Sequence, residues 1–276
     1  VSDTAREKVS STWQQLALTR TSEKSTFSIM ANARQLKDIY AFRPVSIPNQ
    51  NSTKLFNADM RHTVRLKWQQ AKFTSGMQVF NKQITSNDRG NHKHLHTGIY
   101  ANLQHQLLNK LFVTEGIRAD WDQSYKWSLI PQLNLAYTGA VATLRASVSK
   151  GIRDADFTER YNNYNKPLVT GGSIGNPALE AERSFNMEMG ADLFLDKPVQ
   201  VHATLFQRNQ ASLIDWATTA YANMPIRNNL IPTGIYALAS NIANINSAYL
   251  AIAGAANATV VVANITRANG NITNIY

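Results

Sequence analysis

The chain has 276 residues, a net charge of +10 and no cysteine; 43% of its residues are hydrophobic and 17% charged. That length suits one or two domains or part of a large barrel, and the absence of cysteine excludes disulfides and thiol chemistry. The charged fraction is below the usual quarter of a soluble domain, and Lys and Arg are spread without any nucleic-acid motif, so the basic balance does not point to nucleic acid.

In chain order, residues 10–20 and 25–36 read as a hairpin turning at 22–24, with Phe27, Ile29 and Ala31 alternating with Thr26, Ser28 and Met30. A period of two sends alternate side chains to opposite faces of a strand. Pro44, Pro48 and the polar run 49–53 predict a long connection. Residues 63–70 alternate again, Val64, Leu66 and Trp68 against Thr63, Arg65, Lys67 and Gln69, and Ala71 and Lys72 join them to a strand over 73–84. The Asn-, Asp-, Gly- and His-rich stretch 85–96 predicts a loop.

A strand over 97–107 carries Tyr100, Asn102, Gln104 and Gln106 on one face; after a turn at 108–110, Leu111, Val113, Ile117, Ala119 and Trp121 share a face interrupted by Glu115. Residues 120–126 predict a modest loop. Trp127, Leu129, Leu133, Leu135 and Tyr137 form the next apolar face, and Pro131 within it counts against a ladder position because proline donates no hydrogen bond. Leu144, Ala146 and Val148 then oppose Thr143, Arg145, Ser147 and Ser149. After a long connection, Met187, Met189, Ala191 and Leu193 oppose Asn186, Glu188, Gly190 and Asp192. Past a tight turn at 196–198, Val199, Val201, Ala203 and Leu205 oppose Gln200, His202 and Thr204, with Phe194 and Phe206 on the polar side.

Short turns near 22, 71, 108, 138 and 196 thus alternate with longer loops near 41, 85, 120, 151 and 217, which sorts them to opposite ends of the sheet. Strands of about 9–12 residues cross a bilayer when tilted. No stretch reads as a membrane helix: 248–263 is short and contains Asn257. A membrane location therefore requires a closed barrel. The sequence starts at Val1 without a signal-peptide pattern, as a mature product or a fragment would.

Two phrases between the strands carry more than periodicity. Ser149, Gly151, Arg153, Glu159 and Tyr161 fit the form S-x-G-F-R-A-P-x-x-x-E-L-Y, and Gly175, Asn176, Pro177, Leu179 and Glu182 fit G-N-P-x-L-x-P-E, followed by Glu188 on the polar face of a strand. Gly116, Arg118 and Asp120 fit a G-x-R-x-D strand end, and Leu213, Ile214 and Asp215 fit D-L-I-D. With these motifs the chain resembles the β-barrel of a TonB-dependent outer-membrane receptor, by motif over 97–245 and by pattern over the first hundred residues. Pro131 resembles a proline common at that strand in the family. Ala155 and Ala181 stand where the family has prolines, and no charged residue occurs from Asn228 to Thr266, where a strand with an inward Gly-x-Glu is expected.

The resemblance implies an all-β fold, a transmembrane antiparallel β-barrel of which about 12 of 22 strands are present, with the plug domain outside this chain. Residues 1–246 are the barrel portion; 247–276 form a low-charge Asn/Ala-rich segment or further strands. It implies a receptor in the bacterial outer membrane that imports a scarce bulky solute, energised by a TonB-type coupling protein, with a surface lipoprotein or other envelope protein as a further partner. It implies no enzymatic activity and no cofactor. A passive porin-like barrel and a soluble β-rich glycan-binding or adhesion protein are the alternatives. Glu180 with Glu182 read as loop architecture, and Asp154 with Asp156 as solvated loop acids, rather than as acid–base pairs.

The expected lipid-facing residues are Leu129, Leu133, Leu135, Leu144, Val148, Val201 and Leu205, with Gln132, Asn134, Arg145, Ser147 and His202 toward the lumen. Arg153, Tyr161, Tyr164 and Tyr221 are the candidate solute contacts, since aromatics offer flat apolar area and Arg pairs with anions; the competing reading is that they pack the loops against each other. His92, His94 and His96 alternate, so in extended chain their imidazoles face one way, a pattern that suits a metal ion or a solvated polar loop.

Overall fold

The computed structural model describes residues 4–41, 44, 47–165, 173–196, 199–219 and 272–275. Ten strands form one continuous antiparallel sheet: β1 (Arg6–Thr21), β2 (Ser25–Ala41), β3 (Asn49–Arg65), β4 (Lys72–Ser86), β5 (Gly90–Leu107), β6 (Leu111–Asp122), β7 (Lys126–Thr138), β8 (Ala142–Arg153), β10 (Glu182–Asp196) and β11 (Val199–Ala211). Each pairs with its neighbour in sequence, apart from the short β9 (Ser173–Ile174), which interrupts the run. With β12 (Trp216–Thr219) and β13 (Ile272–Ile275) it makes a separate three-stranded sheet in the order β12-β13-β9. One helical turn, α1 (Phe157–Tyr161), lies in the connection between β8 and β10. Apart from β13, the segment 247–276 lies outside the described residues, as does Tyr221.

The register fixes the two faces. Leu133 pairs with Val148, Leu135 with Ala146, Val148 with Met187, Leu144 with Ala191, and Leu193 with Val201. Directly paired residues point the same way, so Leu129, Leu133, Leu135, Leu144, Val148, Val201 and Leu205 all lie on one face. Ile117, Ile99, Met77, Met60 and Ile29 continue that face across β6 to β2. Pro131 pairs with Ile117 on the same apolar face. The opposite face carries Gln132, Asn134, Arg145, Ser147, Asp192 and His202, with Phe206 opposite Glu188. On β7 the apolar face runs from Trp127 to Tyr137. Ten residue steps of roughly 3.4 Å give about 34 Å along the strand, and a tilt of about 40° reduces this to about 26 Å, the height of the apolar band of an outer-membrane barrel. The aromatic ends of the run then fall at the two interfaces, where girdle residues belong.

The structure corrects the sequence reading at four places, and three share one cause. Residues 49–53 are paired strand rather than connection. The stretch 85–96 is almost all strand: β4 reaches Ser86, β5 begins at Gly90, and the loop is residues 87–89 alone. The loop expected over 120–126 shrinks to 123–125. In each, the residues are mostly Asn, Asp, Gln, Ser or His, a composition that reads as loop, while backbone hydrogen bonding continues regardless of side chain. The fourth is the reverse: alternation over 63–70 continues past the end of β3 into a 3₁₀ turn, Trp68–Gln70, where Gln69 and Gln70 take φ of 48° and 49°. The sorting of short turns from long loops therefore holds chiefly for the connection 154–181.

Candidate functional site

The described parts of the long connection, residues 154–165 and 173–181, fold back over the polar face of the sheet, and the two motif phrases meet there. Asp156 caps α1, accepting from the Thr158 and Glu159 backbone amides at 2.6 and 2.8 Å, while the Glu159 carboxylate accepts from the Asp156 amide at 2.7 Å. This reciprocal capping box starts a helix of only five residues. Arg153, the last residue of β8, donates from Nε and Nη2 to the two oxygens of Glu182 at 2.7 and 3.0 Å, and from Nη1 to Glu159 at 2.9 Å. Glu182 also accepts from the Ile214 amide at 2.8 Å, which brings in the D-L-I-D-like segment. Ala155 and Leu179 are buried against each other, with Ile214 beside them. Ala155 thus sits inside the loop's small core, and Ala181 is also buried, at 3% exposed.

Gly175 sits where no other residue fits. A Cβ there would collide with the backbone of residues 160–162, so the second phrase can lie on the end of α1 only as glycine. The Gly175 amide donates to the Asn162 carbonyl at 3.0 Å and the Asn176 amide to Glu159 at 2.9 Å.

Tyr161 stacks face to face on His92 with ring centroids 3.5 Å apart, and Tyr164 meets Tyr161 edge-on at 6.0 Å. His92 Nε2 donates to the Arg89 carbonyl at 2.7 Å, and Lys82 lies 4.8 Å over the Phe157 ring. These rings fasten α1 to the inner wall of β4 and β5. Arg153, Tyr161, Tyr164 and His92 are thus brought together, in contacts that hold the loop.

His94 and His96 face a different neighbour. Residues 92, 94 and 96 are on a strand, so their side chains do share a face. A carboxylate only accepts hydrogen bonds, so His94 donates from Nε2 (2.8 Å) and His96 from Nδ1 (3.2 Å) to the same oxygen of Asp122. The Asp122 side chain is 2% exposed. Its second oxygen accepts from the Ser124 amide at 2.8 Å. Arg118 donates to Asp120 at 2.6 Å and to His96 Nε2 at 3.2 Å. Gly98 leaves the room for that pair, since a Cβ there would overlap both side chains. Asp154 is no solvated loop acid: it is largely buried, binds Arg160 at 2.7 Å and lies 3.8 Å from His94 Nε2. Burial first, and then the carboxylates of Asp122, Asp120 and Asp154, push the Tyr125 hydroxyl well above its usual pKa, so it stays protonated 3.4 Å from His96 Nδ1.

A cavity of about 1120 Å³ opens between this cluster and the loop, lined by His94, Arg118, Asp122, Tyr125, Phe157 and Tyr161 among others. Nothing local in the sequence signals the grouping, because His94, the pair Asp122 and Tyr125, and Asp154 come from three separate segments.

The family model for the TonB-dependent receptor-like β-barrel matches residues 5–251. The chain belongs to this family. Barrels of the family reside in the bacterial outer membrane, and its members are transporters rather than enzymes. Among solved structures, the siderophore receptor PirA from Pseudomonas aeruginosa is similar at 18% identity and a TM-score of 0.68, over 82% of this chain and 44% of PirA. The hemophore receptor HasR from Serratia marcescens, solved with its hemophore and heme, matches at 14% identity and a TM-score of 0.66, over 79% of this chain and 42% of that one. The iron transporter FrpB from Neisseria meningitidis matches at 16% and 0.60, over 75% and 37%. This receptor barrel therefore spans less than half the length of each of these three solved structures. No match is found among curated proteins.

Proposed function

We propose that the chain is part of the wall of an outer-membrane receptor that imports a scarce, bulky solute, driven by a TonB-type protein of the inner membrane. The observation that carries this reading is the family match over residues 5–251, joined to a sheet with one apolar face and one polar face. The apolar face, with the seven leucines and valines named above, meets lipid; the polar face lines the lumen. The solute enters at the end that bears the 154–181 loop. There the cavity offers imidazole, carboxylate, guanidinium and aromatic groups on one wall. Arg153 acts by holding the loop that shapes this mouth. Tyr161 and Tyr164 supply aromatic surface to the solute, as does Tyr221 beyond the described residues, and the relatives' names make siderophore- and haem-type cargoes the class to test first.

The test is uptake by cells that carry the full-length receptor as their only route for a candidate cargo. Uptake that saturates at low solute and stops when the TonB-type partner is deleted supports the reading. Uptake that is linear in concentration and indifferent to that deletion replaces it with a passive pore.

A further inference from the structure

We propose that His94, Asp122 and Asp154 form a binding site for a divalent transition-metal ion of the zinc class, which fastens the root of the 154–181 loop to the strand wall. The site stands whether or not the transport reading holds, because it rests only on these side chains.

The geometry comes first. His94 Nε2 lies 2.8 Å from Asp122 Oδ2 and 3.8 Å from Asp154 Oδ2, and all three atoms fall within 4.8 Å of one another. Ligands at about 2.0–2.2 Å from a tetrahedral zinc stand roughly 3.3 Å apart. The closest pair must open by about 0.5 Å and the wider pairs must close by about 0.5–1.5 Å, which small side-chain rotations supply. One imidazole with two carboxylates suits zinc and its first-row neighbours better than the all-oxygen sets of magnesium and calcium. The fourth position faces the cavity, open to water or solute.

The surroundings are prepared in the same sense. In both carboxylates Oδ2 is the oxygen on the His94 side, with Asp154 Oδ2 also accepting from Ser124 Oγ at 3.0 Å, while Oδ1 is held from behind, in Asp122 by the Ser124 amide at 2.8 Å and in Asp154 by Arg160 Nη2 at 2.7 Å. Such outer contacts orient metal ligands. Charge points the same way. Asp120 is matched by Arg118 and Asp154 by Arg160, whereas the ion partners of Asp122 among the described residues are His94 and His96. With neutral imidazoles the group holds one excess negative charge in a place where the Asp122 side chain is 2% exposed, and a cation removes that cost. On binding, the Nε2 proton of His94 leaves, passing through solvent to Nδ1, so that the Nε2 lone pair meets the metal.

The full-length receptor, purified in detergent and stripped with chelator, is titrated with Zn²⁺ by calorimetry and with Co²⁺ by visible absorption. The expected result is one site per chain, weakened at least tenfold in His94→Gln and in Asp122→Asn. His202→Gln leaves it unchanged: His202 makes the same 2.8 Å contact to a carboxylate, Asp192, with no third ligand among the described residues. No one-to-one site in the wild-type protein, or a site that survives both substitutions, overturns the proposal and leaves a hydrogen-bonded network. If the variants fail to fold, X-ray absorption of the zinc-loaded wild type decides: imidazole scattering beyond a four-ligand shell supports the site, and an all-oxygen shell without it overturns it.

Discussion

Arg153 directs its guanidinium to Glu182 and Glu159, both largely buried, while its own side chain is 47% exposed. Removing one partner from a fully buried pair costs several kcal/mol, but half-exposure screens this one. Arg153→Ala is therefore expected to lower the stability of the full-length receptor by about 1–2 kcal/mol, read as a fall in the urea midpoint, with Arg153→Lys intermediate. An unchanged midpoint in the alanine variant would show that the carboxylates find other partners. Gly175→Ala is predicted to act locally. The added methyl has only backbone to push against, so α1 must shift, and trypsin should cut faster at Arg160, which is 7% exposed in the packed loop. Wild-type cleavage rates would contradict the packing described. At this scale the sequence was legible where chemistry lies within a short phrase. The glycine and acids of both phrases stand at their family positions, whereas Asp156, read as a solvated loop acid, caps α1 together with Glu159. It was opaque where partners come from afar: nothing near Asp154 signals Arg160 burial or His94, and nothing near Asp122 signals that two imidazoles meet on one oxygen.

Among the elements, β7 and β8 show why the strands could be read. Each carries a full apolar face against a polar one, and their pairing of Leu133 with Val148 and Asn134 with Ser147 keeps like with like. Where the lipid requirement ends, that signal ends too. The upper halves of β4 and β5 bear Lys82, Gln83, His92, Lys93 and His94, and only the ladder itself reveals them as strand. The turn at Trp68–Gln70 misled in the opposite direction, since Gln is no turn signature and its positive φ has no mark in the sequence. The faces make a prediction: Leu133→Arg, near the middle of the apolar band, should destabilise the receptor in lipid by about 2–4 kcal/mol, and Asn134→Arg by much less. The comparison is made by denaturant unfolding in bilayers. Equal costs at the two neighbouring positions would contradict the assignment of faces.

At the scale of the whole molecule, the ten-stranded sheet has two free margins among the described residues, β1 and β11. Long unpaired strands that carry Leu16, Leu18, Val201 and Leu205 exposed do not persist in water or lipid. Closure by further strands is expected in the full-length protein, in keeping with the 44% of PirA that this chain covers. The central claim is that this sheet is a membrane wall with lipid on one side and an aqueous lumen on the other. It is tested most directly by spin labels placed one at a time at residues 128–135 of β7 in the full-length receptor, reconstituted in bilayers. The prediction is strict alternation: oxygen quenches the labels at 129, 131, 133 and 135, and a water-soluble nickel reagent reaches those at 128, 130, 132 and 134. Uniform access of the nickel reagent to both sets would contradict it.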